Sequence, residues 1–217
     1  MCGRFNMLAT PEQLMRAFDL EQVPGYKISY NISPGQKILG IVQPDRNGLS
    51  AVSLDWGLVP SWAKDSKIGH SLINARAETL GEKPSFKAAY HKRRCLIPAT
   101  GFYEWQKTEN GKQAYHVSRE DRQLFAFAGL WEHWEHGSET LYSCTIITTA
   151  ANALMQPIHE RMPVIIDAEH YRLWLDQRQS QQSLDQLLAN PAYEGFALYP
   201  ISDRINNPRH DDRHCLH

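Results

Sequence analysis

The chain has 217 residues, 42% of them hydrophobic and 22% charged, with a formal net charge of −1. That length suits one domain with a substantial core, and the composition is ordinary for a soluble globular protein. It excludes a polycation that coats nucleic acid in bulk, though not a local basic face.

No apolar run approaches a membrane span. The first residues, Met1-Cys2-Gly3-Arg4-Phe5-Asn6, lack the apolar stretch of a secretory signal. Cys2, Cys95, Cys144 and Cys215 show no CxxC spacing, so the expectation is reduced thiols in a cytoplasmic protein.

Thr10-Pro11-Glu12-Gln13 predicts a helix start, with Thr10 as N-cap, Pro11 at N1 and Gln13 closing a capping box. Runs at 37–43 and 49–54 flank Asp45-Arg46-Asn47-Gly48, a hairpin signal. Pro84 to Tyr90 reads as a short helix. Strand patterns follow at 94–98, 101–107, 113–119, 123–130 and 140–149, with a turn at Glu109-Asn110-Gly111. Helices are expected at 168–175 and 183–188, a last strand at 196–201, and an extended polar tail from Asn206 to His217. Strands dominate and helices intervene without βαβ order. The expected fold is therefore α+β, a mainly antiparallel, barrel-like sheet with peripheral helices.

Cys2 stands directly behind the initiator methionine. Trimming of Met1 leaves an α-amine and a thiol on one residue, a 1,2-aminothiol that condenses with an aldehyde to a thiazolidine. The amine titrates at about 8 and the thiol at about 8.5, so modest neighbours activate either. A small residue that merely follows a start codon is the alternative.

Gly101-Phe102-Tyr103-Glu104-Trp105 sets a lone carboxylate between aromatics. A carboxylate against such walls is costly to ionise, which suits proton transfer; simple strand alternation, with Glu104 in solvent, explains it as well. His159 and Arg161 lie two residues apart and share a face if extended, giving an acid–base group beside an anion contact, or else a loop histidine and an exposed arginine. Asn74 and Arg76 offer an amide and a guanidinium on a short irregular stretch, although helix-start chemistry also accounts for Asn74. Trp56 and Trp62 bracket a Gly/Pro-shaped loop. They are base-stacking platforms or a buried pair.

Arg93-Arg94 would extend a basic groove or mark a strand edge. His133 and His136, and the terminal His210, His214, Cys215 and His217, lack the paired spacing of a zinc site, so no metal is expected. Cys95 and Cys144, inside apolar runs, read as core residues.

Several blocks taken in order closely resemble the SOS-response-associated peptidase (SRAP) family. They are Met1-Cys2-Gly3-Arg4-Phe5, Tyr30-Asn31-Ile32-Ser33-Pro34-Gly35, Trp56 to Trp62, Asn74 to Thr79, Arg94 to Pro98, Gly101 to Trp105 and His159 to Pro163. Ser33 departs from the family's usual Ala, and Ile201-Ser202 and Ile205-Asn206 from a valine-bearing version. The resemblance covers about residue 2 to 208, which sets a single domain at 1–208 and a tail at 209–217.

The resemblance implies a sensor of abasic sites in single-stranded DNA. Such a protein joins Cys2 to the ring-opened sugar as a thiazolidine and processes its own N-terminus. It implies Cys2, Asn74, Glu104 and His159 as catalytic residues and Arg4, Trp62, Arg76, Trp105 and Arg161 as DNA contacts. It also implies a monomer without cofactor, metal or membrane, cytoplasmic and nucleoid-associated when on DNA, with lyase activity as a further expectation. The competing classes are an N-terminal-nucleophile amidohydrolase or glutamine amidotransferase, a thiol peptidase pairing Cys2 with His159, and a noncatalytic single-strand-binding module.

Overall fold

The computed structural model describes residues 2–44 and 48–217, whose strands sort into two sheets. In chain order the strands are β1 (Phe5–Met7), β2 (Ser29–Ile32), β3 (Lys37–Val42), β4 (Ser50–Trp56), β5 (Asn74–Arg76), β6 (Arg94–Ala99) and β7 (Gly101–Thr108). Then come β8 (Gly111–Arg119), β9 (Phe125–His136), β10 (Glu139–Ala150), β11 (Arg161–Pro163), β12 (Ile165–Ile166) and β13 (Phe196–Ile201). The α-helices are α1 (Pro11–Phe18), α2 (Pro84–Lys92), α3 (Tyr171–Leu175) and α4 (Gln181–Ala189).

One sheet runs β10-β4-β3-β6-β9 and closes on itself through the β9–β10 pairing, with β5 and β11 added on β10 and β12 on β9. Closure gives a five-strand barrel and removes its sheet edges. Every residue of β6 is buried, as expected of a strand covered on both faces. The other sheet is open and antiparallel, ordered β13-β8-β7-β1-β2. The fold is thus α+β with mostly antiparallel sheets. The parallel pairings are those of β10 with β4 and β5.

The two sheets meet where Thr100 separates β6 from β7. Its N–H donates to the Asn6 carbonyl at 3.0 Å. Phe5 of the open sheet packs edge-on against Trp56 and Phe127 of the barrel, with ring centroids 5.2 and 5.8 Å apart. Phe102 meets Phe127 the same way at 5.9 Å. Such edge contacts add specificity to apolar burial.

α1 begins as its sequence dictates. Thr10 accepts from the Gln13 N–H, and the Gln13 side chain accepts from the Thr10 N–H. The expected turn at Asp45-Arg46-Asn47 lies outside the described residues, but β3 and β4 pair antiparallel from Lys37↔Asp55 to Val42↔Ser50. Cys95 and Cys144 are core residues. No helix among the described residues is long and apolar enough to cross a membrane.

Two expectations change. Arg94 forms no basic groove: it is 4% exposed. Its guanidinium donates to the carbonyls of Trp174, Tyr90, His91 and Asp176, tying α2 and α3 to β6. Nor is the C-terminal stretch an extended tail. The buried Asn31 side chain donates to the carbonyls of Asn207 and His210 at 3.1 and 2.7 Å. Asp211 accepts from the Ser29 hydroxyl and from the Tyr30 and Asn31 N–H groups. Cys215 is buried beside Tyr103 and Ile201. A polar sequence is held here because its backbone supplies partners for a buried asparagine.

Behind β1 a buried polar cluster fixes the strand. The Asn6 amide donates to the Tyr103 hydroxyl at 2.9 Å and meets His116 Nε2 at 2.9 Å, and Thr100 donates to Asn6 Oδ1 at 2.7 Å. Gly101 is required beside it, because any Cβ there would collide with the His116 ring.

Truncation after Pro208 is expected to lower stability by at least about 2 kcal/mol in urea unfolding, since it strands hydrogen-bonding groups of Asn31 and of β2. An unchanged midpoint would show a dispensable tail. Burial also pushes the His116 pKa down to about 4. Below about pH 6.5 the unfolded chain takes up a proton that the folded chain refuses, so stability falls as pH drops towards 4, by at most about 3 kcal/mol. His116→Gln is expected to flatten that part of the pH–stability profile; an identical drop in the variant would refute the assignment.

Candidate active site

Cys2 enters the molecule along β7. Phe5 pairs with Phe102 and Asn6 with Gly101, and the Tyr103 N–H donates to the Arg4 carbonyl at 2.9 Å. Continuing that register brings the first residues alongside Glu104. Cys2 is 0% exposed and Glu104 2%. Burial pushes the Cys2 thiol well up, and the Glu104 charge pushes it further. The Tyr193 hydroxyl is also raised, by burial first and then by Cys2 and Glu104. These three groups therefore share one dry pocket, in which Tyr193 donates to the Pro163 carbonyl at 2.8 Å. Both burial and the carboxylate thus oppose ionisation of the thiol.

Asn74 comes from β5, which lies parallel to β10 with Asn74 opposite Ile146. Its Nδ2 donates to the Cys2 carbonyl at 2.9 Å. Its Oδ1 is buried with no hydrogen-bond partner among the described residues. A buried acceptor of this kind is a docking point for a donor such as an amine or a sugar hydroxyl. Asn74 is thus not a helix cap but a strand residue aimed at Cys2.

His159 ends the turn that precedes β11. Its N–H donates to the Met155 carbonyl at 3.0 Å, and the turn is tied to β7 where Gln106 donates to the Pro157 carbonyl at 2.9 Å. His159 and Arg161 do not lie side by side on an extended face. The imidazole folds back, and its Nδ1 lies 2.9 Å from the Arg161 backbone N and 3.1 Å from the Arg161 carbonyl oxygen, which fixes the ring's orientation.

The five candidate DNA contacts divide. Arg76 is exposed at the end of β5, and Trp62 is 57% exposed. Trp56, its partner in sequence, is buried at 1%. Trp105 is partly exposed, with its indole N–H on Asn206 Oδ1 at 2.7 Å. Arg161 reaches the site's rim but holds Glu78 in a bidentate pair at 2.7 and 2.9 Å and the Thr148 carbonyl at 2.7 Å. That bond holds the Glu78 carboxyl below the usual range. Arg4 is half-buried, donates from Nη1 to Asn31 Oδ1 at 2.7 Å and to the Ile205 carbonyl at 3.1 Å, and so braces the C-terminal segment.

Sequence reasoning missed Tyr193, Thr148 and Glu78. Glu78 was within reach, two residues beyond Arg76 in a stretch already singled out, whereas Tyr193 sits in a run with no signal. Among the described residues, the one grouping whose atoms converge as a metal would need is Asp167, Glu169 and His170, and no candidate catalytic residue belongs to it.

The family described as SOS response associated peptidase (SRAP) matches residues 1–208. The abasic site processing protein YoaM of Bacillus subtilis is 40% identical over 222 residues, which span 100% of this chain and 97% of that protein. The abasic site processing protein HMCES of Xenopus tropicalis is 32% identical over 261 residues, 100% of this chain and 78% of that one. A crystal structure of a Bacteroides thetaiotaomicron protein superposes with a TM-score of 0.87 at 27% identity, covering 99% of this chain and 98% of that chain. With an N-terminal cysteine, a buried glutamate and an asparagine gathered in one pocket, and matches that span its length, this chain belongs to the SRAP family.

Proposed function

We propose that this protein processes abasic sites in single-stranded DNA by linking the lesion's aldehyde covalently to Cys2 as a thiazolidine. The observation that carries this reading is the shared pocket of Cys2, Glu104 and Tyr193, with Asn74 holding the Cys2 carbonyl. Two relatives named as abasic site processing proteins support the substrate class.

Removal of Met1, by self-processing or by another peptidase, frees the Cys2 amine. His159 passes a proton to the ring oxygen and takes one from the C1′ hydroxyl as the closed sugar opens to its aldehyde, with no net gain or loss of protons. The amine adds to C1′ and one water leaves, giving an imine. The thiol then adds across the C=N bond: sulfur bonds to carbon, and Glu104 takes the S–H proton and passes it to the ring nitrogen, ending as it began. The net change is one aldehyde and one aminothiol to one thiazolidine and one water. Asn74 Oδ1 orients the amine or a sugar hydroxyl. The imine is also the entry to β-elimination, so lyase action competes with ring closure.

Arg76, and Arg161 shared with Glu78, contact phosphates, and Trp62 and Trp105 offer ring faces to bases. A site without a base needs no flipping but does need a kinked strand, which favours single strands over intact duplex. The protein acts as a monomer without a metal, in the cytoplasm and on the nucleoid when bound.

The high thiol pKa separates this chemistry from a thiol peptidase. A peptidase attacks with the thiolate first and needs a lowered pKa. Here the amine attacks first and the protonated thiol follows, so a buried thiol beside a carboxylate is no obstacle.

Denaturing electrophoresis after mixing with single-stranded DNA bearing one abasic site is expected to show a shifted band. The band should vanish in Cys2→Ser and in protein that retains Met1; its absence from the wild type would overturn the proposal. His159→Ala is expected to slow adduct formation by about 10²–10⁴-fold while leaving equilibrium binding of intact strand unchanged. The thiolate ultraviolet absorbance, followed against pH, gives a separate check. Because the Glu104 charge raises the Cys2 thiol pKa, Glu104→Gln should shift its titration to lower pH, and an unmoved titration would place the carboxylate outside the pocket.

A further inference from the structure

The exposed face of α2 continues away from the Cys2 site as a run of uncompensated positive charge. The helix buries Phe86, Ala89 and Tyr90. Its exposed side carries Lys83, Lys87 and His91 at successive i, i+4 positions along one edge, with Lys92 about 100° further round from His91. Elsewhere arginines are neutralised: Arg93 by Glu132, Arg119 by Asp121, Arg161 by Glu78, Arg172 by Asp19 and Arg178 by Asp176. Among the described residues Lys83, Lys87 and Lys92 join no ion pair. Glu82 is the one acidic residue between Leu80 and Lys92.

The helix start adds to this. Lys83 occupies the N-cap and makes no side-chain cap hydrogen bond, at a position where short polar residues are preferred and where the helix dipole repels a cation. An anion seated there would relieve both features.

The track follows Arg76 closely in sequence. Arg76 ends β5, and the chain passes through one 3-10 turn (Ala77–Thr79) before α2. The Thr79 carbonyl accepts the N–H groups of Glu82 and Lys83 at 3.2 and 3.0 Å, fixing the junction. At the same end Trp62, 57% exposed, donates its indole N–H to the Pro84 carbonyl at 3.4 Å. An exposed ring pinned to the head of a cationic helix is the pairing of base platform and phosphate contacts that single strands use. From residue 83 to residue 91 the helix rises about 12 Å.

We propose that α2 is a phosphate track, headed by Trp62, that carries the single strand beyond the abasic site. Its partner class rests on the function proposed above. It assigns Lys83, Lys87 and Lys92 a share of the sequence-independent part of binding, in addition to that of Arg76 and Arg161.

The test measures the salt dependence of binding to a lesion-free single strand long enough to follow α2. Lys83→Gln/Lys87→Gln/Lys92→Gln is expected to lower the slope of log K against log salt by about 2, at about 0.7 per lost contact. Lys87→Glu alone should lower it by about 1. A control that removes as much charge elsewhere, Lys27→Gln/Lys112→Gln/Arg213→Gln, should leave the slope unchanged. Adduct yield on a short abasic oligonucleotide that cannot reach α2 should equal that of the wild type in all three. An unchanged slope in the α2 variants, or an equal fall in the control, would overturn the track. A wild type that forms no adduct would instead sink the abasic-site function, and the slopes on lesion-free strand would still decide the track.

Discussion

The site depends on one strand pairing, β1 against β7. Phe5 opposite Phe102, and the Tyr103 N–H on the Arg4 carbonyl, set how far the N-terminus advances into the molecule. A strand pairs in steps of one residue, and a one-residue slip turns every side chain to the other face. Such a slip would swap the buried Phe5 with its polar neighbours and carry the first residues off the Glu104 side of β7. The register is therefore held on both sides. Phe5 locks into Trp56 and Phe127 of the barrel, while Asn6 is hydrogen-bonded to Tyr103, His116 and Thr100. Apolar packing gives the pairing its strength, and the buried polar cluster gives it one answer.

The electrostatics within that frame act on the thiol. Burial and the facing carboxylate both raise its pKa. The charges at the rim are balanced differently. Arg161 is matched by Glu78, which holds it in place and tempers its pull on an anion, whereas Arg76 stands exposed without an ion pair among the described residues. A pinned cation on β11 and an available one on β5 thus flank the same strand, β10.

Much of this is legible in the chain because it is local. The Thr10–Gln13 capping box, the Pro84 helix start and the Glu109-Asn110-Gly111 turn each declare themselves within a few residues. Glu104 stood out as a carboxylate among aromatics, although only the structure shows that both faces of β7 are covered there, so that alternation does not send it to solvent. What the sequence concealed is non-local. The short strands β5 and β11 exist because β10 lies ready to pair with them. Tyr193 joins the pocket from a stretch without pattern. The segment from Ile205 to Asp211 looks like solvated tail until Asn31 is seen to need its carbonyls. The Arg4 bond to the Ile205 carbonyl is hidden for the same reason.

The bond from Arg4 to the Ile205 carbonyl spans 201 positions of sequence, and Asn31 grips the same late segment. During synthesis Arg4 emerges 201 positions before Ile205, so the strand that carries Cys2 gains this brace late and is held as one unit with the segment that follows β13.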